Sequence, residues 1–273
     1  MRKQDDLVKN LEQWFLKIDK AAVALSGGID SSLIAYAARK QLGKDNVIAI
    51  ISASASVKQK ELRDARNFCS RFDIPLYEID AREIDDSNYR ENPINRCFFC
   101  KSALYSEMEK TIASNYPDFV VLNGNNFSDF GDFRPGLKAA DEHKVYSPLA
   151  ECKFTKDDIR MIAKHYKLPN WNKPASPCLS SRFPYGEKIS VDKLKMVEKA
   201  EDILNDFGFV DVRVRFIKNS AKIEVPPHQI PFLEETIEQI IPSLLSFGFD
   251  NCEIDKEGLV SGKLNRQISS ATQ

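Results

Sequence analysis

The sequence predicts an α/β fold: a parallel sheet with helices on both faces, followed by a small α+β domain. Three observations predict it. Short apolar runs alternate with helical patterns through the first half of the chain, the order that places a parallel sheet under crossover helices. The first of those runs turns into a helix through two adjacent glycines. After about residue 188 the order becomes helix, strand, strand, helix, strand, which suits a small sheet carrying its helices on one face.

The elements follow in order. Residues 1–18 scatter charges through an amphipathic pattern, so they read as a helix and not as a signal peptide, which needs a continuous apolar stretch. Ala-Ala-Val-Ala-Leu at 21–25 is a buried strand, and the segment from Leu33 onward has helical character. Residues 46–52 form a second apolar strand, 57–74 a helix, 75–80 a strand and 119–124 a further strand. The stretch 84–101 is polar, contains Pro93 and enters a helix near Phe99. Residues 125–153, with Gly131, Pro135, Gly136 and Pro148, read as irregular. Thr155 and Asp158 make a capping-box start for a helix over 155–168. The Pro-, Ser- and Gly-rich stretch 169–188 is long for a connection, and such loops are usually functional or disordered. Then come a helix from Val191 to the region of Gly208, strands at 211–216 and 221–225, a helix after His228 and a last strand at 251–255.

A chain of 273 residues is long for one domain at roughly 100–200 residues each, so two are expected, 1–187 and 188–273. The net charge of −1 gives no electrostatic reason to expect a nucleic-acid partner. No run of about 18 apolar residues is present, so no membrane span is expected and a cytoplasmic location is. A reducing cytoplasm disfavours disulfides, so the six cysteines need another account: burial, metal or catalysis.

The strongest local signal is Ser26-Gly27-Gly28-Ile29-Asp30-Ser31-Ser32 between the first strand and helix. Paired glycines let backbone turn tightly and approach a ligand. A helix N-terminus offers unpaired N–H groups and a positive dipole end, which suit phosphate. Ser26, Ser31 and Ser32 add hydroxyls, and Asp30 makes sense beside phosphate if it helps hold Mg²⁺. The Walker spacing is absent. The stretch resembles the SGGxDS loop of the PP-loop ATP pyrophosphatases, which split ATP between the α and β phosphates, adenylylate a substrate oxygen and release pyrophosphate.

Cys97 and Cys100, in Arg-Cys-Phe-Phe-Cys-Lys, form a CxxC pair, moderately specific by itself. A structural zinc site would want four ligands. Cys178, in the long loop, is the best third candidate. Three cysteines match a [4Fe–4S] cluster with one iron open to an exogenous ligand, since the full set is Cys₄. An open iron can hold hydrosulfide, and an adenylylated substrate is an electrophile, so the two motifs together could form C–S bonds. Cys69, Cys152 and Cys252 read as core positions, and His143, His165 and His228 share no metal-ligand spacing.

The whole chain resembles the LarE family of ATP-dependent sulfur transferases. The resemblance rests on residues 26–32, on Asp-Phe-Arg-Pro-Gly-Leu-Lys-Ala-Ala at 132–140, on Asn-Trp-Asn-Lys at 170–173 with the Ala-Ser-Pro-Cys-Leu-Ser-Ser-Arg-Phe-Pro-Tyr-Gly run at 175–186, and on Val-Arg-Val-Arg-Phe at 212–216. It implies a substrate, pyridinium-3,5-biscarboxylic acid mononucleotide, whose carboxylates become thiocarboxylates in nickel-pincer nucleotide synthesis, with ATP and Mg²⁺. One branch of the family consumes a loop cysteine as sulfur donor, five residues before the Arg of Ser-Ser-Arg; here that position is Pro177. The other branch uses a three-cysteine [4Fe–4S] cluster fed by a sulfide source, and Cys97, Cys100 and Cys178 fit it.

By position, the resemblance gives ATP phosphates and Mg²⁺ to Ser26, Gly27, Gly28, Asp30 and Ser31. It places Ser180, Ser181 and Arg182 along the substrate and cysteine loop, and assigns the substrate phosphate to Arg213 and Arg215. Arg134 and Lys138 are to contact acidic substrate or pyrophosphate, and Glu201 and Glu224 to handle metal or substrate. A third family carboxylate is replaced near Phe232. The C-terminal domain is expected to bind the substrate phosphate and to take part in homo-oligomers. Rival readings are a PP-loop tRNA thiolase, opposed by the near-zero charge, and a non-enzymatic nucleotide and metal sensor.

Overall fold

The computed structural model describes residues 3–131, 135–260 and 262–266. In chain order the elements are α1 (Gln4–Phe15), β1 (Ala21–Ala24), α2 (Ile29–Leu42), β2 (Val47–Ser52), α3 (Gln59–Arg71), β3 (Leu76–Ile79), α4 (Ser87–Arg90), α5 (Arg96–Asn115), β4 (Val120–Leu122), α6 (Pro135–Glu142), α7 (Pro148–Glu151), α8 (Lys156–His165), α9 (Val191–Asp206), β5 (Arg213–Ile217), β6 (Ser220–Glu224), α10 (Ile230–Ser246) and β7 (Asn251–Ile254). They divide into two compact units, Met1–Glu83 with Cys97–Ser176 and Ile84–Arg96 with Pro177–Gln273.

The first unit is a four-stranded, wholly parallel sheet in the order β3-β2-β1-β4. Its two faces separate residue by residue, because side chains alternate along a strand. Ala21, Val23, Val47, Ala49 and Ile51 join one core with Leu7, Leu11, Leu33, Leu62 and Ile159 from α1, α2, α3 and α8. Ala22, Ala24, Ile48 and Ile50 join the other, against Tyr105, Met108 and Ile112 of α5 and Ala139 and Ala140 of α6. Helices therefore cover both faces, as expected for a parallel sheet. The strand order reverses between β1 and β4, and open α/β sheets bind ligands at the carboxyl ends of strands beside such a reversal.

Two segments are more regular than the sequence indicates. The stretch 125–153 carries a 3₁₀ turn at Phe127–Gly131 and the helices α6 and α7. Pro135 and Pro148 open those helices, where a missing N–H costs nothing, and do not mark loop. Helix α5 begins at Arg96, earlier than Phe99, because Arg96 is anchored at both ends. Its N–H bonds to Pro93 O at 2.9 Å and its guanidinium to Asn92 Oδ1 at 2.7 Å. The expected capping box of α8 is present: Thr155 accepts from Asp158 N–H, and the Asp158 carboxylate accepts from Thr155 N–H at 2.9 Å.

The second unit has a three-stranded sheet in the order β5-β6-β7, antiparallel then parallel. Helix α9 packs on β5 and α10 on β7. Residues 84–96 belong to this unit, unlike a single boundary at 187/188. Asn92 Nδ2 donates to Pro184 O at 2.6 Å, Gly186 N–H to Asn92 O at 2.9 Å and Ile189 N–H to Arg90 O at 2.9 Å, stitching the two segments into one body. Among the described residues no helix is long and apolar enough to cross a membrane.

Candidate functional site

In the first unit the loop after β1 is built for close backbone approach. Gly27 sits at φ +74°, and a Cβ there would lie 2.8 Å from Glu61 Oε2 and 3.2 Å from Glu61 O. Ser31 Oγ organises the turn: it accepts from Ser26 N–H at 3.0 Å, pairs with Ser26 Oγ at 3.0 Å and donates to Gly28 O at 3.2 Å. Gly28 caps α2 with extended backbone and no side-chain cap, so the first-turn N–H groups keep their capacity for an anion. Gly124, just past β4, is needed for a different reason. A Cβ there would come within 2.5 Å of Ser31 N, so β4 delivers its carboxyl end directly onto the first turn of α2.

Asp30 points into a polar, buried cluster. It is ion-paired with Lys156 and accepts from Asn126 Nδ2 at 3.2 Å. Asn126 also donates to Asp129 Oδ2, through its backbone N–H at 3.0 Å and its side chain at 2.9 Å. Asp30 Oδ1 is buried with no hydrogen-bond partner among the described residues. Burial holds the Asp30 carboxyl above its ordinary range, opposed by Lys156 and reinforced by the nearby Asp129. Behind the loop, Asn170 Nδ2 donates to Ser32 Oγ at 2.9 Å, and Lys173 Nζ reaches Gly27 O at 3.3 Å, Glu61 at 2.7 Å and Asp64 at 2.8 Å. Gly27, Ser32, Asp64, Asn170 and Lys173 line a cleft of about 470 Å³ with Arg71.

Cys97 and Cys100 occupy the first turn of α5, one exposed and one half-buried. At i and i+3 they share a helix face. Lys138 is exposed, 3.6 Å from Glu142 and over the Phe98 ring. Arg134 lies outside the described residues.

In the second unit Arg182 is the centre of a buried charge network, 1% exposed. Its Nε and Nη2 bond to the two carboxylate oxygens of Glu201 at 2.7 and 3.1 Å. Its Nη1 donates to Pro177 O at 2.9 Å and Cys178 O at 3.3 Å, and to Ser181 Oγ at 2.9 Å. Ser181 Oγ in turn donates to Cys178 O at 2.8 Å. Ser180 is wholly buried, its Oγ 2.5 Å from Tyr89 Oη, and its carbonyl accepts from Arg96 at 2.9 Å. Arg182, Ser181 and Ser180 thus fix the backbone that carries Cys178.

Arg213 and Arg215 do share one face of β5, as alternation requires, but they differ. Arg215 pairs with Glu224 at 3.0 Å and donates to Ser181 O at 2.6 Å. Arg213 is half-buried and has no ion pair or hydrogen bond among the described residues. Burial, then the neighbouring Arg182 and Arg215 charges, push its guanidinium below the ordinary value. Glu201 and Glu224, expected to handle metal or substrate, each face basic partners here. Glu201 also accepts from Val214 N–H at 3.0 Å, closing the open edge of β5, and Glu224 has Lys263 at 3.5 Å. Among the described residues no three His, Cys, Asp or Glu side chains group as a metal site.

The remaining cysteines are held as thiols by their surroundings. Burial pushes the Cys69 thiol up to about 12 and those of Cys152 and Cys252 up to about 11, which makes them poor thiolates. Spacing in the sequence did not single out Asn126, Asp129, Lys156, Asn170, Lys173, Arg96 or Tyr89. Asn126 lies in the Asn-rich run 123–126, and Asn170 and Lys173 lie in the stretch 170–173 that carried the resemblance without a role being read from it; Asp129, Lys156, Arg96 and Tyr89 carry no such signal.

A parallel sheet with a Ser-Gly-Gly-Ile-Asp-Ser turn at its strand reversal defines the PP-loop class of nucleotide-binding domains, and residues 4–98 match the NAD synthase family. The chain is 42% identical to an uncharacterized protein of Synechocystis sp. over 96% of its own length and 98% of that protein. It is 35% identical to the pyridinium-3,5-bisthiocarboxylic acid mononucleotide synthase of Lactiplantibacillus plantarum, over 93% of this chain and 92% of that one. It is 30% identical to an uncharacterized protein of Methanocaldococcus jannaschii, over 94% of this chain and 97% of that one. The chain belongs to the LarE family.

Proposed function

We propose that this chain is an ATP-dependent sulfur transferase that adenylylates a carboxylate of pyridinium-3,5-biscarboxylic acid mononucleotide and replaces the activated oxygen with sulfur. The observation that carries it is the loop at 26–32, a hydroxyl-lined helix N-terminus with Asp30 Oδ1 buried and unpartnered beside it. The loop would hold ATP phosphates through Ser26, Gly27, Gly28 and Ser31, and Asp30 would hold Mg²⁺. A cation offsets the cost of a buried carboxylate oxygen with no donor. Arg134 and Lys138 would meet the pyrophosphate or the substrate carboxylates.

The second unit supports the substrate half of the reading. Arg213 is a half-buried guanidinium with no direct ion pair or hydrogen bond among the described residues; burial, Arg182 and Arg215 disfavour its charge, Glu224 and Glu201 offset them in part, and a substrate phosphate would supply the direct partner. Arg182 links that position to the segment of Cys178. Cys97, Cys100 and Cys178 would supply three thiolates to a [4Fe–4S] cluster; what supports the assignment is their residue type, with the CxxC pair on the first turn of α5 and Cys178 on the loop held by Arg182. When bound, the cluster would offer an open iron for sulfide. The partners are then the pyridinium mononucleotide, a sulfide source and further copies of the chain.

The test is anaerobic purification of wild type and Cys97→Ala with iron and sulfide assays. About four irons per chain, lost in the variant, is the expected result. Absence of iron after reconstitution sinks the cluster. Cys178 would then be the consumed donor, visible as the loss of one H₂S from the protein mass after turnover.

A further inference from the structure

The rear of the phosphate loop carries an arrangement that the reaction chemistry does not require. Gly27 is in the left-handed region and presses on the start of α3, so its peptide is held by shape on one side only. Its carbonyl faces Lys173 Nζ at 3.3 Å and, more distantly, Asn170 Nδ2 at 3.5 Å. In a trans peptide the carbonyl and the next N–H point in opposite directions. Anchoring Gly27 O therefore aims Gly28 N–H away from the 170–173 segment, to the side where it donates a long hydrogen bond to Ser26 Oγ at 3.4 Å, a contact weak enough for a phosphate oxygen to replace.

Lys173 is suited to that work. Its side chain is 17% exposed, and its ammonium is shared among Gly27 O, Glu61 at 2.7 Å and Asp64 at 2.8 Å. Burial works against its charge, but Asp64 and Glu61 outweigh burial and leave the ammonium harder to deprotonate than usual. Without it, a carbonyl oxygen and the Glu61 carboxylate would face each other across the contact a Gly27 Cβ cannot enter. Asn170 ties the same segment to Ser32 Oγ inside the first turn of α2.

We infer that Lys173, assisted by Asn170, is a positioning residue for nucleotide binding: it fixes the Gly27–Gly28 peptide so that the loop presents its N–H groups to the triphosphate. The inference rests on the proposed ATP site. Lys173 itself touches no phosphate, and it acts through the peptide it holds.

The experiment is direct binding of Mg·ATP to wild type, Lys173→Met, Lys173→Arg and the triple variant Lys173→Met/Glu61→Gln/Asp64→Asn, each with its thermal midpoint. Wild type failing to bind Mg·ATP would overturn the proposed function and not this assignment alone. With wild type binding, Lys173→Met is expected to weaken affinity about tenfold or more, as for loss of a charged hydrogen bond. Lys173→Arg is expected to restore most of it, and the triple variant to stay weak, because its carboxylates are neutral while Gly27 O is still unanchored. Unchanged affinity in Lys173→Met, or full recovery in the triple variant, would make Lys173 a mere counterion for α3 and overturn the assignment.

Discussion

The loop at 26–32 and the segment at 177–182 both hold a turn of backbone in a fixed shape, by opposite means. The first uses glycines, hydroxyls and a helix N-terminus, and leaves donors and a carboxylate oxygen open. The second uses a guanidinium bonded on three sides, with its charge cancelled by Glu201. Charge that is matched internally makes structure, and polar capacity left unmatched makes a site. By that measure Arg182, Arg215, Glu201 and Glu224 are matched internally, while Asp30 Oδ1 and Arg213 keep unmatched capacity, which is why the proposed function gives those two a ligand.

The comparison breaks first at Arg182. Arg182→Met takes the guanidinium away from the buried Glu201 carboxylate, with an expected loss of about 3–5 kcal/mol in denaturant unfolding. The pair variant Arg182→Met/Glu201→Leu should recover much of that stability, since apolar replacement of a whole buried pair is often neutral. Equal instability in the two variants would mean that the carbonyl contacts to 177 and 178, and not the charge pair, dominate.

Arg213→Met sharpens the contrast. It removes a half-buried cation with no direct ion pair, so unfolding free energy should stay level or rise, while KM for the phosphorylated pyridinium substrate rises about tenfold or more. The matching change at Arg215 should lower stability. If both arginines behave alike in stability, the distinction between scaffold and site fails on this strand.

The smallest effect is expected at Asp30, and its sign is informative. A carboxyl whose folded pKa lies above the unfolded 3.8 contributes stability below that pH and loses it as pH rises through the folded value. Asp30→Asn should therefore make the ligand-free protein slightly more stable at pH 7, yet abolish the stabilisation by Mg·ATP. A drop in stability at pH 7 would show that the Lys156 pair outweighs burial. The changes at Arg213 and Asp30 both belong to the trade between stability and function at a strained site.

Much of this was legible in the sequence. The alternation at 21–25 and 46–52 foretold the two-faced sheet, and Ser26 to Ser32 foretold the tight turn into α2, because these depend on local periodicity and on backbone freedom at neighbouring residues. The likeness in sequence also reached the family, since it extends along nearly the whole chain. Prolines misled at 135 and 148, where a residue that breaks a helix interior opens a helix instead.

Sequence by itself determined which groups this protein possesses: a PP-loop, a CxxC turn, a cysteine loop and two arginines on one strand face. Only the tertiary structure decided which of them remain unpaired. Arg213 and Arg215 are equivalent by spacing, but β6 places Glu224 where one of them pairs with it. Lys173, distant from Gly27 in the chain, becomes its neighbour only on folding. Pairing energies depend on distance and burial, and neither can be read from the order of residues.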